Sequence, residues 1–312
     1  MCGILGVIVN KPVNIKANLE KIYRNQRSRG TYGCGIAKMS YRNTLTRHRG
    51  VASDSLFQDE FDNFYRHLQH QDRLIVHHRY ASHGGDGSVL ESNHPFIDEN
   101  FNTALIHNGV ISNYAELYKE LRFANHRFES ELRLLTKHNI IVKQQITDSE
   151  VILHMIDKNP IAQADELAKV NGSCAIAVLN KRTSGILLYR WYNPIIVSKD
   201  EHGNYYFSSE FTDRLGLEKV ASLDEGALYR LSLKGLEKLH QVRKSEVYQA
   251  PKSYTKTETR KTEDKSLLQY GNYRINKDTE YGNYRINKDT GIWEEIKKSG
   301  SVDMQDDDDF TF

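Results

Sequence analysis

Short apolar runs and segments of helical period are set apart along this chain by polar stretches, and this pattern predicts most of its elements. "GILGVIV" (3–9) is apolar and partly β-branched, which predicts a buried strand. Residues 17–28 are polar and compatible with a helix. "CGIAKM" (34–39) and "NTLTRH" (43–48) predict a strand pair. In "DSLFQDEFDNFYRHLQ" (54–69), Leu56, Phe57, Phe61, Phe64, Tyr65 and Leu68 fall on roughly one face of a helix. "RLIVHHR" (73–79) predicts a strand that enters a loop of Ser, Gly, His and Asn (82–94), closed by Pro95. "TALIHNG" (103–109) predicts a strand ending at Asn-Gly. "SNYAELYKELRF" (112–123) opens with cap-type residues and continues as a helix. "TDSEVILHMID" (147–157) repeats that signal, with Asp148 or Ser149 as the cap. From about 173 to 233 strands dominate: "SCAIAVLN", "GILLYR", "PIIVSK", "NYYFSS" and "GALYRLS". Strands and helices come in blocks, which predicts a layered α+β fold over a doubly wound parallel sheet.

The pattern changes after about residue 240. "KSYTKTETRKTEDK" (252–265) is charged and poor in apolar residues and reads as linker. "YGNYRINKDT" then occurs twice, at 270–279 and 281–290, too few copies for a solenoid. The second copy continues into "GIWEEIKK", which predicts a small hairpin. The end, "DMQDDDDFTF", is an acidic run closed by aromatics, a composition that stays solvated. The organisation expected is a domain at 2–237, a polar linker at 238–268, the duplicated segment at 269–298 and a tail at 299–312, the C-terminal part largely disordered.

Composition narrows the function classes. The chain has 312 residues, 38% hydrophobic and 27% charged, enough for one large domain plus a tail. A formal net charge of +2 gives no reason to expect direct nucleic-acid or membrane binding. No window is apolar enough for a membrane span, and "MCGILGVIVN" has no basic region ahead of its apolar run. Cys2, Cys34 and Cys174 are too scattered for a disulfide framework. A cytoplasmic protein with free thiols is the expectation.

Cysteine directly after Met1 allows particular chemistry. With Met1 removed, Cys2 carries both a thiol and an α-amine, whose pKa of about 7.7–8.0 suits it to take the thiol's proton. A bare "MC" start is more often only the beginning of a strand. Four further motifs follow in order, however: "HHRYASHG" (77–84), "NHPF" (93–96), "HNGVISN" (107–113) and "TDSE" (147–150). With "MCGI" they resemble the class II glutamine amidotransferase domain, an N-terminal-nucleophile hydrolase. The local likeness is greatest to the glutaminase domain of glucosamine-6-phosphate synthase, whose loop has the form H-x-R-x-A-T-H-G. The resemblance covers roughly residues 2–237 and implies a four-layer αββα sandwich.

It also implies roles. Cys2 becomes the nucleophile, and Asn108 and Gly109 the donors to the oxyanion. Arg79 would clamp the substrate's α-carboxylate and Asp148 its α-ammonium. Tyr80, Ser82 and His83 match positions lining the glutamine pocket, and Arg29 matches an arginine near the nucleophile. Each residue also has a plainer reading: a surface ion pair for Arg79, a helix cap for Asp148, a hairpin turn for Asn108-Gly109. Cys34 and Cys174 read as small buried apolar residues. The family usually reads R-G-x-D-x-x-G where this chain reads "RGTYGCG" (29–35), so Tyr32 stands in the acid's place. The loop at 123–146 looks longer than in compact members. His77, His78, His83, His94 and His107 fit no common zinc spacing, and no metal or cofactor is expected.

The activity implied is hydrolysis of glutamine to glutamate and ammonia through a γ-glutamyl thioester. No phosphate-binding loop and no acceptor domain follow, so ammonia is expected to pass to a separate synthetase or transferase chain. The tail is a candidate docking device, and it resembles the protein-docking tails of single-stranded-DNA-binding proteins. Two other readings stand beside this one: a γ-glutamyl amide hydrolase acting alone, and a retired hydrolase fold that binds partners through its tail.

Overall fold

The computed structural model describes residues 2–30, 32–52, 56–80, 90–130 and 146–242, together with short strands between 267 and 295. The chain divides into two units, Met1–Gln249 and Ala250–Phe312.

The first unit has two antiparallel sheets. The first sheet holds β1 (Gly3–Ile8), β2 (Tyr32–Met39), β3 (Leu45–Ala52) and β4 (Arg73–Arg79). The second holds β5 (Phe96–Ile97), β6 (Thr103–Ile111), β7 (Gly172–Asn180) and β8 (Ile186–Trp191). Next, β9 (Ile196–Lys199), β10 (Tyr205–Ser208) and β11 (Glu218–Ser222) return to the first sheet, and β12 (Ala227–Ser232) and β13 (Gly235–Gln241) to the second. Strand orders are β11-β9-β10-β1-β4-β2-β3 and β13-β12-β8-β7-β6-β5. Helices α1 (Ile15–Asn25) and α2 (Asp59–Arg66) cover the first sheet, and α3 (Tyr114–Phe123) and α4 (Asp148–Ile156) the second.

Three apolar layers hold these four together, and β1 shows how. Its residues are all buried, but alternate ones enter different cores. Leu5 and Val7 pack with Leu19, Ile22 and Phe61 under the helices, whereas Ile4 and Ile8 pack with Ile106, Ala175 and Leu188 between the sheets. The third core lies beneath α3 and α4, among Leu117, Val151, Ile152, Met155, Ile176 and Tyr189. A sheet covered on both faces needs continuous apolar strands, which is why "GILGVI" reads as a run. Burial of α4 from Ser149 through Ile156 explains its nearly unbroken apolar sequence.

Differences from the sequence expectation are local. The helix expected over 54–69 is regular only at Asp59–Arg66, because Gln58 enters it with extended backbone (φ −88°, ψ 174°). Leu56 and Leu68 still fill the core from outside it. The cap of α4 is Thr147, not Asp148 or Ser149. Strands β11 and β13, absent from the pattern, are partly exposed sheet edges. Strand β13 continues past residue 237 and pairs with β12 along its length.

In the second unit, β14 (Leu267–Tyr270) pairs with β15 (Tyr273–Asn276), and β17 (Tyr284–Ile286) pairs with both β16 (Glu280–Tyr281) and β18 (Trp293–Glu295). The "YRI" of each repeat copy is therefore in a strand. Most of the expected linker and the acidic end lie outside the described residues.

Candidate active site

Strand order places Cys2 before it makes any contact of its own. Strand β1 is central, paired to β4 with Gly3 opposite His78 and to β10 with Leu5 opposite Ser208. Just after Cys2, Ile4 is pinned three ways. Its N–H donates to Ser209 Oγ (3.1 Å), and its carbonyl accepts from the Ser209 N–H (3.0 Å) and from Gln26 Nε2 (3.3 Å). The Cys2 thiol then meets the peptide that leaves β4: the Tyr80 N–H points to Sγ at 3.4 Å, and Sγ lies 3.7 Å from the Tyr80 carbonyl oxygen.

Glycines make room for this approach. A Cβ on Gly3 would sit 1.8 Å from His78 Nε2, and one on Gly30 would sit 2.5 Å from the Arg79 carbonyl. His78 Nδ1 contacts the Gly30 carbonyl at 3.3 Å, and burial pushes this imidazole down to about 4, so it stays neutral. Arg29 pairs with Glu210 beside this segment.

Arg79 ends β4 opposite Tyr32 of β2. It is buried and donates to Asn93 Oδ1 at 3.2 Å. Asn93 is itself fixed, since its Nδ2 donates to the Gly50 carbonyl at 3.0 Å and its carbonyl accepts from Arg49 at 3.1 Å. Tyr32 and Tyr80, 47% and 46% exposed, meet edge to face with ring centroids 6.2 Å apart. An aromatic pair therefore stands beside Cys2 where the family motif puts an acid.

The second half of the site hangs from β6. Asn108 pairs with Ala175 and Gly109 with Cys174 of β7. A Cβ on Gly109, whose φ is +156°, would lie 1.9 Å from the Ser173 carbonyl, so only glycine fits there. The Asn108 carbonyl accepts from Asn193 Nδ2 at 2.8 Å. The side-chain amide nitrogen of Asn108 is buried and, among the described residues, has no hydrogen-bond partner. Asp148 begins α4 and accepts the Ile111 N–H at 2.9 Å, which ties the helix start to the end of β6. His107 Nδ1 reaches Ser149 Oγ at 2.8 Å.

His77 joins the two halves. It lies opposite Ile4 on β4, and its Nε2 reaches the His107 carbonyl at 3.1 Å. His77, His94 and His107 are fully buried, with the first two rings 3.9 Å apart. Burial holds all three pKa values below the imidazole range, opposed at His107 by the Asp148 carboxylate. They are neutral packing and hydrogen-bonding groups. The charges converge on Cys2: burial pushes its thiol pKa up, the Tyr80 N–H and the Arg79 guanidinium pull it down, and Asp148 raises it.

Around Cys2 the structure places Arg79, Tyr80 and Asp148, with Arg29 nearby; Asn108 and Gly109 follow His107, whose carbonyl lies 3.1 Å from His77 Nε2 on the strand beside β1. Ser82 and His83 lie outside the described residues. Sequence reasoning missed Asn93, Asn193, Gln26 and Ser209, which orient site residues across long stretches of chain; Asn93 opens "NHPF" and Ser209 closes "NYYFSS", but neither stretch marks it for that task. A cleft of about 470 Å³ lined by Ile8, Arg73, Arg182 and Arg230 contains none of the predicted site residues. Ile8 and Arg73 are paired at the far end of the same two strands, about 17 Å from Gly3 and His78.

The match to known proteins agrees with this geometry. Residues 46–267 fit the model of the glutamine amidotransferase domain. The chain belongs to the glutamine amidotransferase domain family. The matched span contains Arg79, Tyr80, Asn108, Gly109 and Asp148, but begins inside β3, so Cys2 and Arg29 stand on the geometry above. Glutamine–fructose-6-phosphate aminotransferase (isomerizing) of Helicobacter pylori is 28% identical over 86% of this chain and 42% of its own. The enzyme of that name from Methanothermobacter thermautotrophicus is 34% identical over 73% of this chain and 36% of its own. This chain thus spans less than half the length of these curated relatives. The glutamine phosphoribosylpyrophosphate amidotransferase of B. subtilis superposes with a TM-score of 0.56 at 21% identity, over 76% of this chain and 48% of that one. It shares the N-terminal-nucleophile hydrolase fold, the class II architecture of the amidotransferase domain. No helix among the described residues is long and apolar enough to cross a membrane.

Proposed function

We propose that this amidotransferase domain hydrolyses glutamine with Cys2 as an N-terminal nucleophile and passes the ammonia to an acceptor held by a partner enzyme. The observation that carries the reading is the buried Asn108 amide nitrogen, a donor without a partner among the described residues, in the strand that His77 ties to the Cys2 strand. A buried donor left unpaired costs about 1–3 kcal/mol, a cost that an oxyanion would relieve.

In the proposed reaction the α-amine freed by removal of Met1 takes the thiol proton, and Sγ attacks the γ-amide carbon. The carbonyl oxygen becomes an oxyanion facing Asn108 Nδ2 and the Gly109 N–H. Collapse of this intermediate breaks the C–N bond, and the α-ammonium returns its proton so that ammonia leaves. Water then hydrolyses the γ-glutamyl thioester to glutamate and the free thiol. Arg79 and Asp148 address the two charged ends of a free amino acid, which favours glutamine over a peptide amide. Use of the ammonia beyond the matched segment is supported by the relatives, whose own chains extend well past it. The tail is proposed as the docking element, and pull-downs with full-length and 1–240 protein test it; equal recovery of one partner by both removes the tail from that role.

The central test measures glutamate release from glutamine alongside the mass of the mature N-terminus. Glutamate release by protein lacking Met1 is expected; an active protein that retains Met1 would sink the α-amine mechanism. Arg79→Lys and Asp148→Asn should each raise KM for glutamine about 10- to 100-fold, the worth of a charge-assisted hydrogen bond, with a smaller change in kcat. Steady-state kinetics decide this, and an unchanged KM in both variants refutes the clamp.

A further inference from the structure

The far end of α4 carries a cluster that the amidotransferase chemistry does not use. His154 and Asp157, three residues apart, share one side of the helix end, with Asp157 still helical (φ −64°, ψ −35°). His126 faces them from the end of α3. That end is closed by left-handed Asn125 (φ 66°), with the His126 N–H on the Leu121 carbonyl and the Asn125 N–H on the Arg122 carbonyl, both at 3.0 Å. This closure fixes the backbone of His126 beside α4.

Three potential ligand atoms meet there. His126 Nδ1 lies 3.3 Å from His154 Nδ1, and Asp157 Oδ2 lies 3.5 Å and 3.6 Å from these two nitrogens. A tetrahedral ion with bonds of about 2.0–2.1 Å sets its ligands about 3.3–3.4 Å apart, so this triangle has the edge lengths of one face. We propose that His126, His154 and Asp157 bind a divalent cation of the zinc class, leaving the fourth position for water, and that the ion clips the end of α3 to α4.

The surroundings fit. Glu150 lies one turn back on α4, with Oε1 3.8 Å from His154 Nε2, on the side of the ring away from the ligand triangle. That carboxylate makes no hydrogen bond to the ring; it accepts from the Glu129 and Ser130 N–H groups and supplies negative charge beside it. The second oxygen of Asp157 is buried and has no hydrogen-bond partner among the described residues. Phe128 closes one side, its ring centroid 4.5 Å from that of His154. Two carboxylates and two neutral imidazoles sum to the charge a divalent ion balances. His77, His94 and His107 take no part.

The test uses the full-length protein, stripped with chelator and titrated with cobalt(II) as a spectroscopic probe, then with zinc. One equivalent of cobalt should give the intense visible bands of tetrahedral coordination, and zinc should displace it and abolish them. His126→Gln and Asp157→Asn change partly exposed side chains, and each should weaken cobalt binding by about tenfold or more. Cys2→Ala should leave the spectrum unchanged, which separates this site from the nucleophile. Zinc should also raise the Tm of wild type and not of His126→Gln. Absence of a tetrahedral spectrum at one equivalent overturns the proposal. So does a spectrum that survives both ligand substitutions or is lost in Cys2→Ala.

Discussion

Cys2→Ala protein should release glutamate from glutamine at least about 10⁴-fold more slowly than wild type, in line with removal of the nucleophile from other hydrolases. No other thiol can substitute. Cys34 and Cys174 are buried, the first under the helices of the first sheet and the second beneath α4. Nor should the loss reflect unfolding. Among the described residues the thiol's hydrogen bonds go to the Tyr80 peptide, while Ser209 and Gln26 hold the strand that follows. Stability should therefore fall by no more than about 1 kcal/mol. Glutaminase rate and thermal melting on the same preparation decide the matter, and a rate within tenfold of wild type would refute Cys2 as nucleophile.

Asn108→Ala should lower kcat for glutamine hydrolysis by about 10²- to 10³-fold with little change in KM, the signature of a donor used only in the transition state. The usual objection to such a variant is weaker here. The deleted amide nitrogen has no protein partner among the described residues, so truncation strands nothing on its donor side. The bond from Asn193 goes to the Asn108 main-chain carbonyl and survives the substitution. Asn193→Ala offers a graded comparison, because it frees the peptide that presents the donor without removing it. Kinetics of both variants give the result, and an Asn108→Ala enzyme with unchanged kcat would exclude this side chain from oxyanion stabilisation.

Much of this was legible in the chain, for identifiable reasons. Strands buried on both faces must be continuously apolar, so β1, β4, β6 and β7 announced themselves. Edge strands β11 and β13 face water, and "EKVAS" and "GLEKLHQ" carry no period to read. Among site residues, those in compact motifs were visible, whereas their supports were not. Ser209 lies 205 residues from the Ile4 it holds, and nothing local marks a serine for that task. Asp148 illustrates a subtler failure. An acid at a helix start reads as a cap, yet its carboxylate accepts from Ile111 in β6, a partner set by tertiary structure. No spacing along the chain marks His126 and Asp157 as a pair; the turn after α3 brings them together in space.

The central place of β1 in its sheet has a practical side. A strand flanked by hydrogen-bonded neighbours on both edges cannot slide to accommodate added length at its start, and a one-residue slip would turn every side chain to the wrong face. An affinity tag or fusion partner placed ahead of Cys2 would thus begin right beside the thiol and the Tyr80 peptide that meets it. Purification handles belong at the other end of this polypeptide.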